Sequence, residues 1–183
     1  MKNMHLVRVF EEQVRKYGAR NFMNYLDGGK WVELSWAQAG EKVHALAGAL
    51  VELGVAEQEN IGIFSQNRPE WTIADLGTQR AGAVSATIYP NESSRHVEYI
   101  INDAEIRTIF VGDQEQYDII IDIMARSPRI IKVIVFNERV KIEKSEKIVY
   151  FSDFLEAGRR SSHEKEIQER MARMSMDDLM TLI

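Results

Sequence analysis

Residues 60–90 read NIGIFSQNRPEWTIADLGTQRAGAVSATIYP. Asn60–Phe64 is a short apolar run of strand length, closed by the polar turn Ser65-Gln66-Asn67-Arg68. Pro69 follows at a position where a first helical turn tolerates a residue without an N–H. Trp71, Ile73, Ala74, Leu76 and Ala81 then recur at helical spacing, and Gly82 is a stop signal. Val84–Ile88 is a second extended run, broken by Pro90. A strand, a helix and a strand in this order form a βαβ unit, which predicts a parallel sheet covered by helices on both faces.

The same alternation continues downstream. A helix capped by Ser93 or Ser94 buries Val97, Ile100 and Ile101, and Arg107–Val111 is extended. Asp113–Ala125 reads as a helix with Tyr117, Ile120, Ile121 and Met124 facing inward. Ile130–Phe136 is a strand rich in β-branched residues. The charged stretch Asn137–Lys147 reads as an exposed hairpin or loop, followed by a short strand over Lys147–Tyr150. Phe151–Met174 reads as helix interrupted near Gly158 to Ser162, and its charge run His163–Arg173 as a salt-bridged exposed helix. Upstream, Leu6, Phe10, Val14 and Tyr17 mark a helix that ends at Gly18. Asn21–Leu26 and Trp31–Leu34 flank Asp27-Gly28-Gly29-Lys30, which predicts a β-hairpin. Ser35 is an N-cap for a helix with Trp36, Ala39, Val43, Ala47, Leu50 and Leu53 as its apolar stripe.

With 183 residues, 45% hydrophobic and 28% charged, the chain can bury a core without staples, and its composition excludes a disordered or low-complexity protein. The formal charge of -5 argues against nucleic acid as the main partner. The lack of cysteine excludes disulfides, thiolate chemistry and Cys-ligated metals, and together with the absence of a signal-type N-terminus it predicts a cytoplasmic location. No apolar run reaches the length of a membrane span, although contact with a membrane surface is compatible with the sequence.

Chemistry-bearing motifs are few. There is no phosphate loop of the G-x-x-x-x-G-K-[ST] type, no G-x-G-x-x-G and no G-x-S-x-G elbow. His5, His44, His96 and His163 show no metal-ligand spacing, and Asp177-Asp178 reads as a solvated loop, so no metal site and no catalytic residue is assigned. Ser65–Arg68 lies at the carboxyl end of a strand, where open α/β sheets bind ligands; the same residues also serve as a capping turn, and the sequence favours that second reading. Tyr89-Pro90-Asn91-Glu92 occupies the equivalent place after the next strand.

The stretch from Asn60 to Val111 resembles the N-terminal region of ATP-dependent acyl-adenylate-forming ligases, the AMP-binding superfamily, and most of all bacterial long-chain fatty-acid CoA ligases. The resemblance is carried by Pro69-Glu70-Trp71, Arg80-Ala81-Gly82-Ala83, Tyr89-Pro90, the run from Tyr99 to Val111, Leu34-Ser35-Trp36 and Leu53-Gly54-Val55. It implies a fold that is part of the acyl-CoA synthetase N-terminal domain. It implies a two-step reaction, in which a fatty acid and ATP give an acyl-adenylate and coenzyme A then takes the acyl group as a thioester, with Mg accompanying ATP. It also implies that Tyr89, Pro90 and Asn91 form a wall on the coenzyme A side. Relatives acting on acetate place arginines just after the strand matching Arg107–Val111; here Gly112-Asp113-Gln114-Glu115 is acidic.

The segment Asp178–Ile183 reads as a strand just beginning. The family's phosphate loop follows such a strand. Residues 1–183 are therefore expected to be a truncated N-terminal subdomain with no complete second domain, inactive alone and holding no cofactor by itself. The full-length enzyme would use fatty acid, ATP, Mg and CoA. An unpaired strand at the end of the sheet implies a tendency to homo-oligomerise. The alternative is a stand-alone, non-catalytic α/β module that binds a nucleotide or a protein.

Overall fold

The computed structural model describes residues 5–183. In chain order the elements are α1 (Leu6–Tyr17), β1 (Asn21–Asp27), β2 (Lys30–Ser35), α2 (Trp36–Glu52), β3 (Asn60–Phe64), α3 (Pro69–Arg80), β4 (Val84–Ile88) and α4 (Ser94–Asp103). They continue with β5 (Thr108–Val111), α5 (Gln114–Arg126), β6 (Lys132–Val135), β7 (Ile148–Tyr150), α6 (Phe151–Arg159), α7 (Glu164–Arg173) and β8 (Thr181–Leu182). β1 and β2 form an antiparallel hairpin. The other six strands form one parallel sheet in the order β7-β6-β5-β3-β4-β8. The predicted α/β class and the hairpin are both present.

The strand period of two divides the core. Ile61, Ile63, Phe110, Ile134 and Phe136 point to the face covered by α2, α3 and α6. Phe64, Ile109, Val111, Val133 and Val135 point to the face covered by α4 and α5. Because both faces are buried, most strand positions are apolar; β4 is the exception, where Ser85 and Thr87 alternate with Val84, Ala86 and Ile88.

On the first face α2 is the hub. Its start is set by a capping box, in which the Gln38 N–H donates to Ser35 Oγ and the Ser35 N–H donates to Gln38 Oε1. Its packing relies on missing side chains. A Cβ on Gly77 of α3 would lie 2.5 Å from Leu46 Cδ2, one on Gly48 would lie 2.8 Å from Gly158 O, and one on Gly158 would overlap the Ala45 carbonyl.

Charges complete this layer. Arg80 is fully buried, with Nε donating to Glu11 Oε1 at 3.1 Å and two nitrogens donating to the two oxygens of Glu164 at 2.8 and 3.4 Å. Arg170 Nη1 donates to the carbonyls of Val55 and Ala81 at 2.8 and 3.0 Å, supplying caps beyond the ends of α2 and α3. Burial pushes the Glu11 carboxyl up, but hydrogen bonds from His44 and Arg80 outweigh it and hold Glu11 below the usual carboxylate range. Glu164 is likewise held low against its burial by Arg80 and Gln168.

Several expectations are corrected. Leu6 is exposed; the adjacent Val7 is buried in its place, because the helix turns its face by one residue. In α5 Ile123 is fully buried, as Ile120 is, while Ile121 and Met124 are only partly covered. Of the two readings of Asn137–Lys147 the loop is the one present, but it is not free: it is pinned by buried Val140, by Tyr150 Oη donating to Val140 O and by the Glu143 N–H donating to Tyr117 Oη. The helix α7 is not simply exposed: Ile167, Arg170 and Met171 are buried. The last strand is shorter than Asp178–Ile183 and pairs with β4 at the edge of the sheet.

Two outcomes are expected. Gly158→Ala forces a methyl into the α2 backbone and should destabilise the protein by about 1–3 kcal/mol or more, read as a lowered thermal midpoint. Glu11 and Glu164 ionise more readily folded than unfolded, so stability should be full above about pH 4.3 and fall as acid protonates them. Denaturant midpoints between pH 6 and 3 should show this acid limb, and Glu11→Gln should lower the neutral plateau and flatten the limb.

Candidate functional site

The chain runs from β3 to β4 on one side and then places β5 on the other side of β3. The carboxyl ends of β3 and β5 therefore form the topological switch point, the usual ligand crevice of open α/β sheets. Here that crevice is filled. A Cβ on Gly112 would lie 2.6 Å from Ser65 Oγ and 3.0 Å from Gln66 Oε1. Arg68 Nη1 reaches Asp113 Oδ1 at 3.4 Å and Arg68 Nε donates to Glu70 Oε2 at 2.8 Å, while Asn137 Nδ2 donates to Asp113 Oδ1 at 2.7 Å. The Ser65–Arg68 turn is thus tied into a polar network between loops. Its Arg68 also stands over the Phe136 ring, 5.7 Å from the centroid.

Open space lies beside this network, towards β4 and β8. A cavity of about 460 Å³ is lined by Trp71 and Gln79 of α3, by Thr87, Tyr89 and Pro90 at the end of β4, and by Ile183, among other residues. Its size is that of a small-molecule pocket. Ser65 and Asn67 also reach its wall. Tyr89 is 67% exposed, so its ring is available to a ligand. The turn behind it is held from inside: Gln116 is fully buried, its Nε2 donates to Pro90 O at 2.9 Å, and its Oε1 accepts the Asp113 N–H at 3.1 Å. One amide therefore joins the β4 turn to the start of α5.

The structure thus brings Tyr89 and Pro90 to one wall, while Asn91 is exposed on the turn and is not among the lining residues. Trp71 packs against the core beneath the same cavity, as its helical position predicts. Sequence reasoning missed Gln116 and Gln79. Gln79 Nε2 donates to Asp75 Oδ1 at 2.9 Å, and its buried Oε1 accepts no hydrogen bond among the described residues. The pattern Asp113-x-x-Gln116 marks Gln116 as part of a capping box, but its reach to Pro90 and the placement of Gln79 come from the fold alone. Among the described residues no group of three or more His, Asp or Glu side chains could hold a metal ion. No helix among them is long and apolar enough to cross a membrane.

The comparisons with known proteins agree with this architecture. Residues 10–183 match the AMP-binding enzyme family, and the chain belongs to that family. It is 28% identical over 155 residues to the long-chain-fatty-acid–CoA ligase ACSBG2 of Rattus norvegicus, covering 85% of this chain and 23% of that protein. It is 33% identical over 129 residues to the long-chain-fatty-acid–CoA ligase heimdall of Drosophila melanogaster, covering 68% of this chain and 19% of that protein. The chain therefore spans about a fifth to a quarter of the length of the curated relatives it matches. The fold is similar to the crystal structure of the anthranilate CoA ligase AuaEII in complex with anthranoyl-AMP, with a TM-score of 0.71 and 22% identity over 84% of this chain and 28% of that one.

The buried amide gives a test. Gln116→Leu keeps the bulk but leaves Pro90 O and the Asp113 N–H without their partner. It should cost about 1–3 kcal/mol and speed hydrogen exchange in peptides spanning residues 86–95, as measured by mass spectrometry.

Proposed function

We propose that this chain forms the N-terminal portion of a long-chain fatty-acid CoA ligase. In that reading a fatty acid and ATP give an acyl-adenylate and pyrophosphate, and the thiol of coenzyme A then displaces AMP to form the thioester. The observation that carries it is the family match over residues 10–183, joined to 28–33% identity with long-chain-fatty-acid–CoA ligases. Magnesium enters this reading with ATP. The described residues offer no carboxylate cluster for it, so its ligands are assigned to other parts of the protein.

The role left to these residues is shape. Tyr89 and Pro90 form the exposed wall of the cavity at the end of β4, and Asn91 continues the turn. In the proposed ligase these three line the coenzyme A side. The exposed Tyr89 ring is suited to stacking and the fixed φ of Pro90 to holding the ring in place. Asp113 caps α5 and binds Arg68 and Asn137, so the acidic stretch after β5 is structural in this reading. Residues 1–183 alone catalyse neither step, and the free side of β8 is the edge through which copies would associate.

The full-length product of the reading frame should release pyrophosphate from ATP only when a long-chain fatty acid is present, and should form thioester when coenzyme A is added. Tyr89→Ala should raise KM for coenzyme A and leave KM for ATP unchanged. Absence of fatty-acid-dependent pyrophosphate release at every chain length sinks the long-chain assignment. An unchanged KM for coenzyme A removes only the proposed wall.

A further inference from the structure

Residues 89–91 leave the sheet with little to hold them. β4 stays in register with β3 as far as Ile88, opposite Phe64, and the turn begins at the next residue. Tyr89 is mostly exposed and so is Asn91, so packing does not fix their place. Within the turn the Glu92 N–H donates to Tyr89 O at 3.1 Å. Among the described residues only one hydrogen bond reaches residues 89–91 from another element, and it runs from Gln116 Nε2 to Pro90 O at 2.9 Å.

Two features of Gln116 single out this donor. The side chain is fully buried, so its amide cannot trade the contact for one with water. Its orientation is fixed by its partners: Pro90 O can only accept and the Asp113 N–H can only donate, so Nε2 faces the turn and Oε1 faces the start of α5. The far end is anchored in turn. Asp113 Oδ1 accepts from Arg68 at 3.4 Å and from Asn137 at 2.7 Å, which ties the start of α5 to the loops after β3 and β6. The capping box of α5 uses only the acceptor side of Gln116, and a glutamate fills that place as well as a glutamine. The cap therefore leaves the donor side unexplained.

We infer that Gln116 is a positioning residue for coenzyme A: its hydrogen bond to Pro90 O sets the Tyr89–Asn91 wall in the place the ligand requires, so affinity for coenzyme A depends on a buried residue that touches no substrate. This inference rests on the ligase reading and on the place given there to Tyr89. With the donor lost, β4 still ends at Ile88 and α5 still starts at Gln114, but the turn between the sheet and α4 gains freedom. Each binding event then carries the cost of ordering the wall. That cost falls on the step that uses coenzyme A and not on adenylate formation.

The full-length enzyme carrying Gln116→Glu separates the two sides of the amide. An ionised carboxyl still accepts the Asp113 N–H and keeps the cap, but it has no proton for Pro90 O; a protonated carboxyl has the shape of the amide and donates. Burial raises a carboxyl pKa to as high as about 8–9, so the switch is read between about pH 6 and about pH 9. At the upper end the KM for coenzyme A should lie at least about fivefold above that of the parent, and the ratio should fall towards one at the lower end. Measuring the parent at each pH cancels the titration of coenzyme A, of Asp113 and of the Glu92–His96 pair that follows the turn. The KM for ATP in fatty-acid-dependent pyrophosphate release should match the parent throughout. Gln116→Met, which has no N–H, should raise the KM for coenzyme A at every pH. The inference is overturned if Gln116→Met keeps the parent's KM for coenzyme A, or if Gln116→Glu raises it by the same factor at both ends of the range. A KM for ATP that rises in step with it also overturns the inference, as a general loss of stability would produce that. Tyr89→Ala keeps two failures apart: an unchanged KM for coenzyme A there removes the wall itself, whereas a raised one beside a parent-like Gln116→Met removes only the positioning.

Discussion

One face of the sheet depends on how closely helices can approach α2. Leu46 enters the space left by Gly77, Gly40 receives Val14 of α1, and the backbones of α2 and α6 meet at Gly48 and Gly158. These approaches replace side-chain burial with dense backbone contact, which gains dispersion over many atom pairs. They also allow α6, a helix of only 9 residues, to be firmly placed. Its first residue, Phe151, then completes a cluster with Phe110 and Phe136 at ring separations of 5.2 to 6.1 Å. The aromatic cluster closes the end of the sheet from which the functional loops emerge.

The second constraint is charge, and it acts on the path of the chain into β8. α7 carries too little apolar surface to be held by burial alone; Arg80, Arg170 and Arg8 hold it instead. Arg8 Nη2 donates to Met171 O at 2.6 Å, close to the carboxyl end of α7, where a cation also meets the helix dipole. Buried guanidinium groups are costly unless every face is satisfied, and here carboxylates and otherwise orphaned carbonyls satisfy them. At the end of α7, Arg173 reaches Glu57 at 2.6 Å, and beyond the helix the Gln58 side chain pairs with both the N–H and the carbonyl of Leu179. That amide imitates one rung of a sheet and delivers Thr181 and Leu182 in register with Ser85 and Ala86. A network of helix contacts therefore sets one wall of the candidate cavity.

Much of the fold was legible because each element carries its own local signals. Asn60–Phe64 and Val84–Ile88 have the bounds read from their apolar runs, and Pro69 opens α3 as its fixed φ predicts. Ser35 caps α2 by the pattern Ser-x-x-Gln. Errors arise where a non-local contact decides. Whether Leu6 or Val7 is buried depends on the angle at which α1 meets α2. The loop over 137–147 looks free by composition, yet two tyrosine hydroxyls from elsewhere pin it. The candidate site was half legible. The strand-end turn at Tyr89-Pro90 follows from the βαβ pattern, but Gln116 supports it across 26 positions of sequence, a separation that no periodicity reports.

Perturbed titration often marks catalytic groups. In this chain it marks a different task. The carboxylates held below their usual range are Glu11, Glu164 and Glu166, and all three face arginines that join helices. The cavity beside Tyr89 is walled instead by an exposed ring, a proline, threonines, a buried amide oxygen and the Asp75 carboxylate, which accepts a hydrogen bond from Gln79 Nε2. Such groups can bind and orient a ligand by hydrogen bonding and stacking. The strong electrostatics of these residues is spent on holding α7 and the last strand in place. The parallel sheet thereby presents a shaped wall beside Tyr89.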